Sequence, residues 1–201
     1  INDDKCIKCG ACISQCPFGA IMDKSFILDA IDYIIKSENN TNFKVYALIA
    51  PAIADSFREF KLGQVIAGLK KLGFYDVIEV AKGADLVAYD EAKELDEKGF
   101  LLFSCCPAFV DYVRKNFPAL AEDISSNLSP MGAIAKKLRE DDEDCRLVFI
   151  GPCTAKKAEI MQDRIKDLVD VALTFEELQA LFDSRDIDLG SLEENDINQA
   201  S

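Results

Sequence analysis

The sequence predicts an α/β fold in which a mostly parallel sheet carries helices on both faces, preceded by a small cysteine-rich segment. From residue 43 onward, short apolar runs typical of strands alternate with longer stretches of helical periodicity. Before that point, four cysteines lie within eleven residues. The polar, turn-rich stretch 37–42 separates the two patterns, so we expect one domain at residues 1–42 and a second at residues 43–201.

The individual elements follow from apolar periodicity and from residues that begin or end helices. Strands are predicted at 43–49, 74–80, 100–104 and 147–150. Helices are predicted at 25–35, 60–72, 84–98, 109–116, 130–139, 155–164 and 175–182. Ser25 and the pair Ser129–Pro130 suit helix N-termini, whereas Gly73 and Gly99 suit helix ends.

The composition excludes several classes of function. The 201 residues include 23 Lys+Arg and 36 Asp+Glu, and the formal net charge of −13 argues against nucleic acid or anionic membranes as main partners. The absence of His excludes imidazole-ligated zinc, Rieske clusters and His-based nucleophilic dyads. No apolar run reaches the roughly 18 residues of a membrane span, and no secretory signal peptide is predicted. Because the first residue is Ile rather than Met, we expect an excised or processed segment.

The N-terminal cysteines follow the spacing C-x2-C-x2-C-x3-C-P, which predicts a 4Fe–4S cluster. The candidate ligands are Cys6, Cys9, Cys12 and Cys16. Such short spacings suit a compact inorganic core better than pairwise disulfides, although a zinc knot or a disulfide knot is the alternative. In two-cluster ferredoxins the last cysteine of such a run serves the other cluster. Cys16 therefore either closes the same cluster or belongs to a second one.

Two further cysteine motifs follow predicted strands, where the sites of parallel sheets form. Cys105 and Cys106 are adjacent and are followed by Pro, and because neighbouring thiols cannot easily bind one metal together, two different roles are expected. Cys153 follows Gly-Pro and precedes a predicted helix with Lys156 one turn on, a position that favours the metal-binding thiolate form. Taken singly, each motif could be ordinary core packing of cysteine. No Walker A or G-x-G-x-x-G pattern is present.

Together these motifs resemble a known family. The sequence reads S-C-C-P at 104–107 and P-C-x-x-K-x-x-E at 152–159, in this order and after a ferredoxin-type cysteine run. This pattern is similar to the first two signature motifs of the FeFe-hydrogenases. Residues 49–52 also resemble that family's loop beside the diiron site, and residues 84–95 its acidic helix. The resemblance covers almost the whole chain and implies that residues 43–201 form the first lobe of the domain that holds the catalytic H-cluster.

The resemblance also implies a role for each matching residue. Cys106 and Cys153 would bind the 4Fe–4S part of the H-cluster, and Cys105 would pass protons to the amine bridge of its diiron part. Lys156 would hold one of its cyanides. The other residues implied to contact the cofactor are Ala50, Pro51, Ala52, Met131, Gly151, Pro152 and Glu159.

Glu91, Ser125 and Glu94 would continue the proton path outward. A site that reduces protons must be dry and yet be fed by a chain of titratable or hydroxyl groups. Taken alone, Glu94 is better explained as a solvated surface residue that pairs with Lys98, four residues on, and Ser125 as a turn or cap residue.

The sequence departs from the family pattern in several places. The third motif, with two more cysteine ligands, is absent, so we expect a fragment that cannot hold a complete H-cluster by itself. Gly151 stands where the family usually has Met, Met131 where it often has Gln, and Phe109 where it has Trp. Cys145 matches no motif and is expected to be structural.

The expected function is therefore a portion of an iron-only hydrogenase that interconverts protons and H2, with the N-terminal cluster relaying electrons. Expected partners are ferredoxin or a similar electron carrier and the hydrogenase maturation proteins, and the expected location is an anaerobic cytoplasm. The main alternative is a non-catalytic relative that acts as a redox sensor or an iron–sulfur carrier. A plain ferredoxin with an appended α/β module explains residues 1–42 only.

Overall fold

A computed structural model describes residues 1–196 of the chain and contains one parallel sheet in that part. Its strands are β1 (Val45–Ile49), β2 (Asp76–Glu79), β3 (Arg146–Gly151) and β4 (Val171–Thr174). They are arranged in the order β2-β1-β3-β4, and every neighbouring pair is parallel. The predicted α/β class with a mostly parallel sheet is confirmed.

Helices connect these strands. They are α1 (Ala11–Ser14), α2 (Ile27–Lys36), α3 (Ile53–Ser56), α4 (Leu62–Leu72), α5 (Ala81–Lys98), α6 (Pro107–Asn116), α7 (Pro130–Asp141), α8 (Ala155–Glu159) and α9 (Phe175–Ser184). Two short 3-10 turns lie at Pro118–Asp123 and Leu189–Ser191. Ser129 caps α7 by accepting a hydrogen bond from the Gly132 amide at 3.3 Å, as the sequence predicts.

The core lies on both faces of the sheet. Four of the five residues of β1 are buried, as are all four residues of β4. Strands buried on both sides read as continuous apolar runs because helices cover both faces of a parallel sheet. Phe57 lies edge-on to the rings of Phe175 and Phe182, which joins the loop after β1 to α9.

One predicted strand is wrong, and one strand of the sheet was not predicted. Residues 100–104 do not join the sheet, and this segment makes a single bridge between Leu102 and Ile124. Leu101 is buried, but Phe100 and Phe103 are half exposed, so the run is only partly covered. Conversely, β4 was not predicted, because its four residues run directly into the helical pattern that starts at Phe175.

Several helix boundaries also differ from the prediction. The helix expected to reach residue 164 ends at Glu159, and the helix expected to begin at 109 begins at Pro107. Ser25 does not occupy the N-cap position of α2, although its hydroxyl accepts a hydrogen bond from the Ile27 amide at 3.3 Å. Among residues 1–196, no helix combines the length and the apolar character that a bilayer crossing requires.

Helix α5 packs against α7 through a close approach at Gly83. A Cβ atom at this position would lie 2.0 Å from the carbonyl oxygen of Pro130, a distance no side chain can accept. The two helices can meet this closely only because residue 83 is glycine. This contact fixes α5, and the acidic residues it carries, relative to the loop that precedes α7.

The N-terminal residues 1–24, here called the cysteine segment, make polar contacts with residues 43–196, here called the sheet domain. Lys115 donates hydrogen bonds to the carbonyl oxygens of Asp3 and Cys6, both at 2.7 Å. The Thr154 hydroxyl donates to the Lys8 carbonyl at 3.4 Å. Gly10, with φ of +79°, lies so close to Thr154 that a Cβ would be 2.6 Å from its Oγ1. The segment is thus docked beside the start of α8.

Candidate functional site

The candidate site lies at the carboxyl edge of the two central strands. Ile49 of β1 pairs with Ile150 of β3, and the Ala50 amide donates to the Ile150 carbonyl at 2.9 Å. The loops that follow β1 and β3 therefore begin side by side. Pro51 and Ala52 are exposed in the first loop, and Cys153 is half-buried in the second. Parallel sheets form their sites at this edge because the loops that follow the strands all begin there.

Lys156 connects the two later cysteine motifs. From α8 its Nζ donates a hydrogen bond to the carbonyl oxygen of Cys105 at 3.1 Å. Cys105 itself is exposed, and Cys106, half-buried, occupies the N-cap position of α6. Two motifs about 50 residues apart in the chain are thus brought to one place.

Lys156 also forms a buried ion pair. Its Nζ lies 2.6 Å from Glu159 Oε2, and the two side chains are only 12% and 7% exposed. The same ammonium group lies 6.0 Å from the centre of the Phe149 ring. The pair holds the lysine head in one orientation, which a flexible four-carbon chain would not adopt on its own.

The phenyl ring of Phe149 fills the space beside Gly151. A Cβ at residue 151 would lie 2.6 Å from this ring and 3.1 Å from the Ala50 Cβ. A larger side chain here requires Phe149 to move. Met131 is fully buried and belongs to the hydrophobic core. The two departures from the family pattern, at residues 131 and 151, therefore lie in tightly packed surroundings.

The structure brings together the three residues expected to carry protons. Ser125, which is buried, donates a hydrogen bond from its hydroxyl to Glu94 Oε2 at 3.0 Å. Glu91 lies close enough to the Ser125 side chain and to the Ser104 backbone for both to lower its pKa. Both glutamates lie on α5, whose position depends on Gly83. Hydroxyl and carboxyl groups within hydrogen-bond distance can pass a proton from one to the next.

The two carboxyl groups have opposite pKa shifts. Burial raises the pKa of Glu91, opposed by the hydrogen bond from Ser125. Burial also raises the pKa of Glu94, but hydrogen bonds from Lys98, Ser126 and Ser125 outweigh it and lower that pKa to about 2. Glu91 therefore holds a proton far more readily than Glu94 does.

Some residues of this network were not predicted from the sequence. Asn127 donates from Nδ2 to Glu94 Oε2 at 3.0 Å, and the Ser126 amide donates to the same carboxylate. Ser104 donates from its hydroxyl to the Asn127 carbonyl at 3.1 Å. Each contact joins residues more than 20 positions apart, so no local pattern could have indicated it. A small cavity of about 50 Å³ next to Ser104 and Ser125 also borders Glu159.

The first three cysteines of the N-terminal run line a wide pocket of about 680 Å³. Most other walls are apolar, with side chains such as Ile7, Ile13 and Met22, and Lys157 contributes from α8. Cys16, the fourth cysteine of the run, is not among the described residues that line this pocket. Backbone amides of Phe18, Ala20 and Ile21 lower the pKa of the Cys16 thiol.

This donor set fits an iron–sulfur cluster. Within residues 1–196, no three Cys, Asp or Glu side chains converge closely enough to bind one metal ion. A 4Fe–4S cluster takes each thiolate on a different iron, so cysteines spread around an apolar pocket suit it better than a single ion. At the second site the thiols of Cys106 and Cys153 are the donors available, next to Lys156.

Comparison with known families gives two matches. Residues 43–201 match the family model described as the C-terminal domain of the iron-only hydrogenase large subunit. Residues 1–22 match the 4Fe-4S binding domain.

Curated relatives carry two kinds of name. The chain is 29% identical to the NADP-reducing hydrogenase subunit HndD of Solidesulfovibrio fructosivorans, over 98% of this chain and 39% of that protein. It is 32% identical to the cytosolic Fe-S cluster assembly factor NAR1 of Kluyveromyces lactis, over 48% of this chain and 20% of that protein. The chain thus spans well under half the length of these relatives.

Solved structures show the same fold. An apo FeFe-hydrogenase HydA1 from Chlamydomonas reinhardtii superposes with a TM-score of 0.76 at 27% identity. The match covers 88% of this chain and 52% of that one.

Proposed function

The chain belongs to the iron-only hydrogenase large-subunit family, and we propose that it contributes half of an H2-activating site together with the cluster that feeds it electrons. The observation that carries this proposal is the junction at Lys156, where the Cys105 and Cys153 motifs meet. An exposed thiol lies at that junction, on Cys105. From this arrangement, and from the hydrogen-bonded groups of Ser125 and Glu94, we infer that the complete protein interconverts protons and H2.

Each group in the proposal has a defined task. Cys106 and Cys153 would hold the 4Fe–4S part of the H-cluster, and Lys156 would bind an anionic ligand of its diiron part. The H-cluster, when bound, supplies electrons and an open iron position for the chemistry of H2. Glu159 keeps Lys156 oriented through their 2.6 Å ion pair.

Protons would reach Cys105 by way of Glu94, Ser125 and Glu91. A proton from solvent meets Glu94 first, where Lys98, Ser126 and Ser125 compete for the carboxylate and lower its pKa to about 2. It therefore passes on through the Ser125 hydroxyl to Glu91, whose raised pKa makes it the better base. Transfer inward is downhill between the two carboxyl groups, which favours proton delivery to the site.

Electrons would enter through the cysteine segment. Cys6, Cys9 and Cys12 line its pocket, and Cys16 is the fourth cysteine of the run. The donor would be a ferredoxin or a similar carrier, and hydrogenase maturation proteins would build the diiron part. Oxygen-labile clusters and reduced thiols suit an anaerobic cytoplasm. We also propose that the first domain ends near residue 42, with α2 as the helix that links the cysteine segment to the sheet.

A second candidate is a role in iron–sulfur cluster assembly without H2 turnover. It is favoured by the 32% identity to a NAR1 assembly factor over about half of the chain. Gly151 also stands where the catalytic family usually has methionine, and a larger side chain here would require Phe149 to move. The hydrogen-bonded groups of Ser125 and Glu94 favour the enzyme, because a cluster carrier has no need to move protons.

The test is a Cys105→Ala substitution in the full-length, anaerobically matured protein. Loss of the thiol that hands protons to the site should lower H2 turnover by about 100-fold or more. Iron content per chain should stay unchanged, because Cys105 is not a cluster ligand in this proposal. Cys145→Ala, the same change at a buried position outside the site, should keep normal turnover.

Two results would contradict the proposal. Near-normal turnover in Cys105→Ala would remove this thiol from the proton route. A matured wild-type protein that binds iron but neither makes nor consumes H2 would support the assembly role instead.

A further inference from the structure

We propose that Lys157 sets the reduction potential of the cluster held by the cysteine segment and keeps that segment docked on the sheet domain. This inference rests on the proposed electron relay through the segment. Lys157 follows Lys156 directly, but it has no part in the site at Cys105. Its side chain is only 7% exposed, which is unusual for a lysine, and it lines the pocket of Cys6, Cys9 and Cys12.

The ammonium group of Lys157 lies between two carboxylates from different parts of the chain. Asp23 Oδ2, from the cysteine segment, is 2.6 Å from Nζ, and Glu177 Oε2, from α9, is 2.8 Å away. Nζ also donates a hydrogen bond to the Lys24 carbonyl at 3.0 Å. One lysine thus ties the end of the cysteine segment to α8 and α9.

The surrounding charges depend on this lysine. Asp23 Oδ2 and Glu177 Oε1 are buried and make no hydrogen bond within residues 1–196, so the Lys157 charge is what compensates them. Glu177 Oε2 also accepts the amide of Thr174 in the capping box of α9, which fixes its position. The group of one cation and two anions carries a net charge of −1.

The sign of the effect on the cluster follows from these charges. Reduction adds one negative charge to a cluster, so a nearby cation favours the reduced form and a nearby anion opposes it. Removing the Lys157 charge changes the group from −1 to −2 and should lower the potential. Removing the Asp23 charge changes it from −1 to 0 and should raise the potential. Removing both restores −1.

The experiment is an EPR-monitored redox titration of the full-length protein, prepared anaerobically with its 4Fe–4S clusters. Cys9→Ser first identifies the segment's cluster as the signal that this variant loses. At a fixed potential, Lys157→Met should reduce the ratio of reduced to oxidised cluster about tenfold, which corresponds to about 59 mV for a one-electron couple. Asp23→Asn should shift the ratio in the opposite direction. The double variant should titrate close to wild type.

The control is Lys166→Met, which removes an equal charge from an exposed lysine paired with Asp163 at 2.9 Å. It should leave the titration unchanged. If Lys157→Met does not retain the segment's cluster, the opposite shift of Asp23→Asn still tests the charge effect. The proposal is overturned if Asp23→Asn shifts the ratio downward or by less than about twofold. A wild-type protein in which Cys9→Ser removes no cluster signal would instead refute the cluster assignment on which the proposal rests.

Discussion

The cysteine segment and the sheet domain differ in what keeps them folded. None of residues 1–29 is buried, whereas in β1 Val45, Ala47 and Leu48 have no exposed surface at all. The sheet domain buries a continuous apolar core, which is the dominant favourable term in folding. The segment instead has polar contacts to Lys115, Thr154 and Lys157, and three of its cysteines line one pocket.

This difference indicates that one chain uses two sources of stability. The sheet domain presents Cys106, Cys153 and Lys156 from a scaffold that folds through its own core. We expect the cysteine segment to be folded by its cluster and by its contacts with the sheet domain. Where the cysteine ligands are not held in place without metal, the free energy of metal binding contributes to folding. Loss of iron should therefore unfold the cysteine segment, whereas loss of core packing should destabilise the sheet domain.

Removal of iron should produce the largest contrast between the two regions. In chelator-treated protein, amides of residues 1–24 should lose their protection from hydrogen exchange, while those of β1 and β3 should keep theirs. Mass spectrometry of exchanged peptides measures both in one sample. Equal loss of protection in β3 would show that the sheet also depends on the metal.

Truncation of a core residue should have the converse effect. Leu48→Ala removes a fully buried side chain from a central strand and should lower the free energy of unfolding by about 2–5 kcal/mol in urea titrations. The matched change Leu28→Ala, at a position 80% exposed on α2, should cost less than about 0.5 kcal/mol. Iron content should be normal in both variants below the unfolding transition. Loss of iron in Leu48→Ala under native conditions would contradict the separation of the two regions.

Removal of the Glu94 charge should destabilise the sheet domain in a pH-dependent manner. Glu94→Gln weakens charge-assisted hydrogen bonds to Lys98, Ser125 and Ser126, and should cost roughly 1.5–3 kcal/mol at pH 7. Because the folded pKa of about 2 lies below the unfolded value, this stability is present above pH about 4.3 and is lost as pH falls toward 2. Urea titrations at several pH values measure the difference from wild type.

Glu91→Gln is the internal comparison for that prediction. The pKa of Glu91 is raised by burial, so its ionised form gains no stability from folding and its removal should not destabilise the protein at pH 7. A Glu94→Gln penalty that stays constant down to pH 2 would show that packing, not charge, is lost.

The contact of Gly83 with Pro130 should matter for the relay more than for the cluster. Gly83→Ala pushes α5 away from α7, and we expect a cost of about 1–3 kcal/mol with lower H2 turnover. Ala84→Gly, at the exposed neighbouring position, should cost about 1 kcal/mol through helix propensity alone and keep full turnover. Redox titration of the cysteine segment should be unchanged in both. Full turnover in Gly83→Ala would separate the relay from this helix contact.

Some elements of the fold could be predicted from the sequence, and others could not. The α/β class was predictable because runs such as 45–49 and 147–151 lack charged residues, as strands covered on both faces do. The strand predicted at 100–104 was wrong because pattern alone does not reveal whether a neighbouring strand is available for pairing. Four residues of β4 were too few to distinguish from the helix that follows.

The site was predictable only as far as its motifs reach. The spacing of the cysteines and of Lys156 pointed to residues that the fold places near one another. Asn127 and the Ser126 amide escaped prediction because they meet Glu94 across more than 30 residues. Adjacent lysines look alike in sequence, yet Lys156 faces Cys105 and Lys157 faces the cysteine segment. That division follows from the rotation of about 100° between successive residues of an α-helix.

The central claim is that the complete protein activates H2 at a site to which Cys106, Cys153 and Lys156 belong. The most direct measurement is H2 turnover, with low-temperature EPR and iron counts, on the full-length protein purified anaerobically with and without maturation. The account predicts ordinary 4Fe–4S signals before maturation, and additional iron, an H-cluster signal and H2 turnover after it. Ordinary 4Fe–4S signals alone in the matured protein, without turnover, would contradict it.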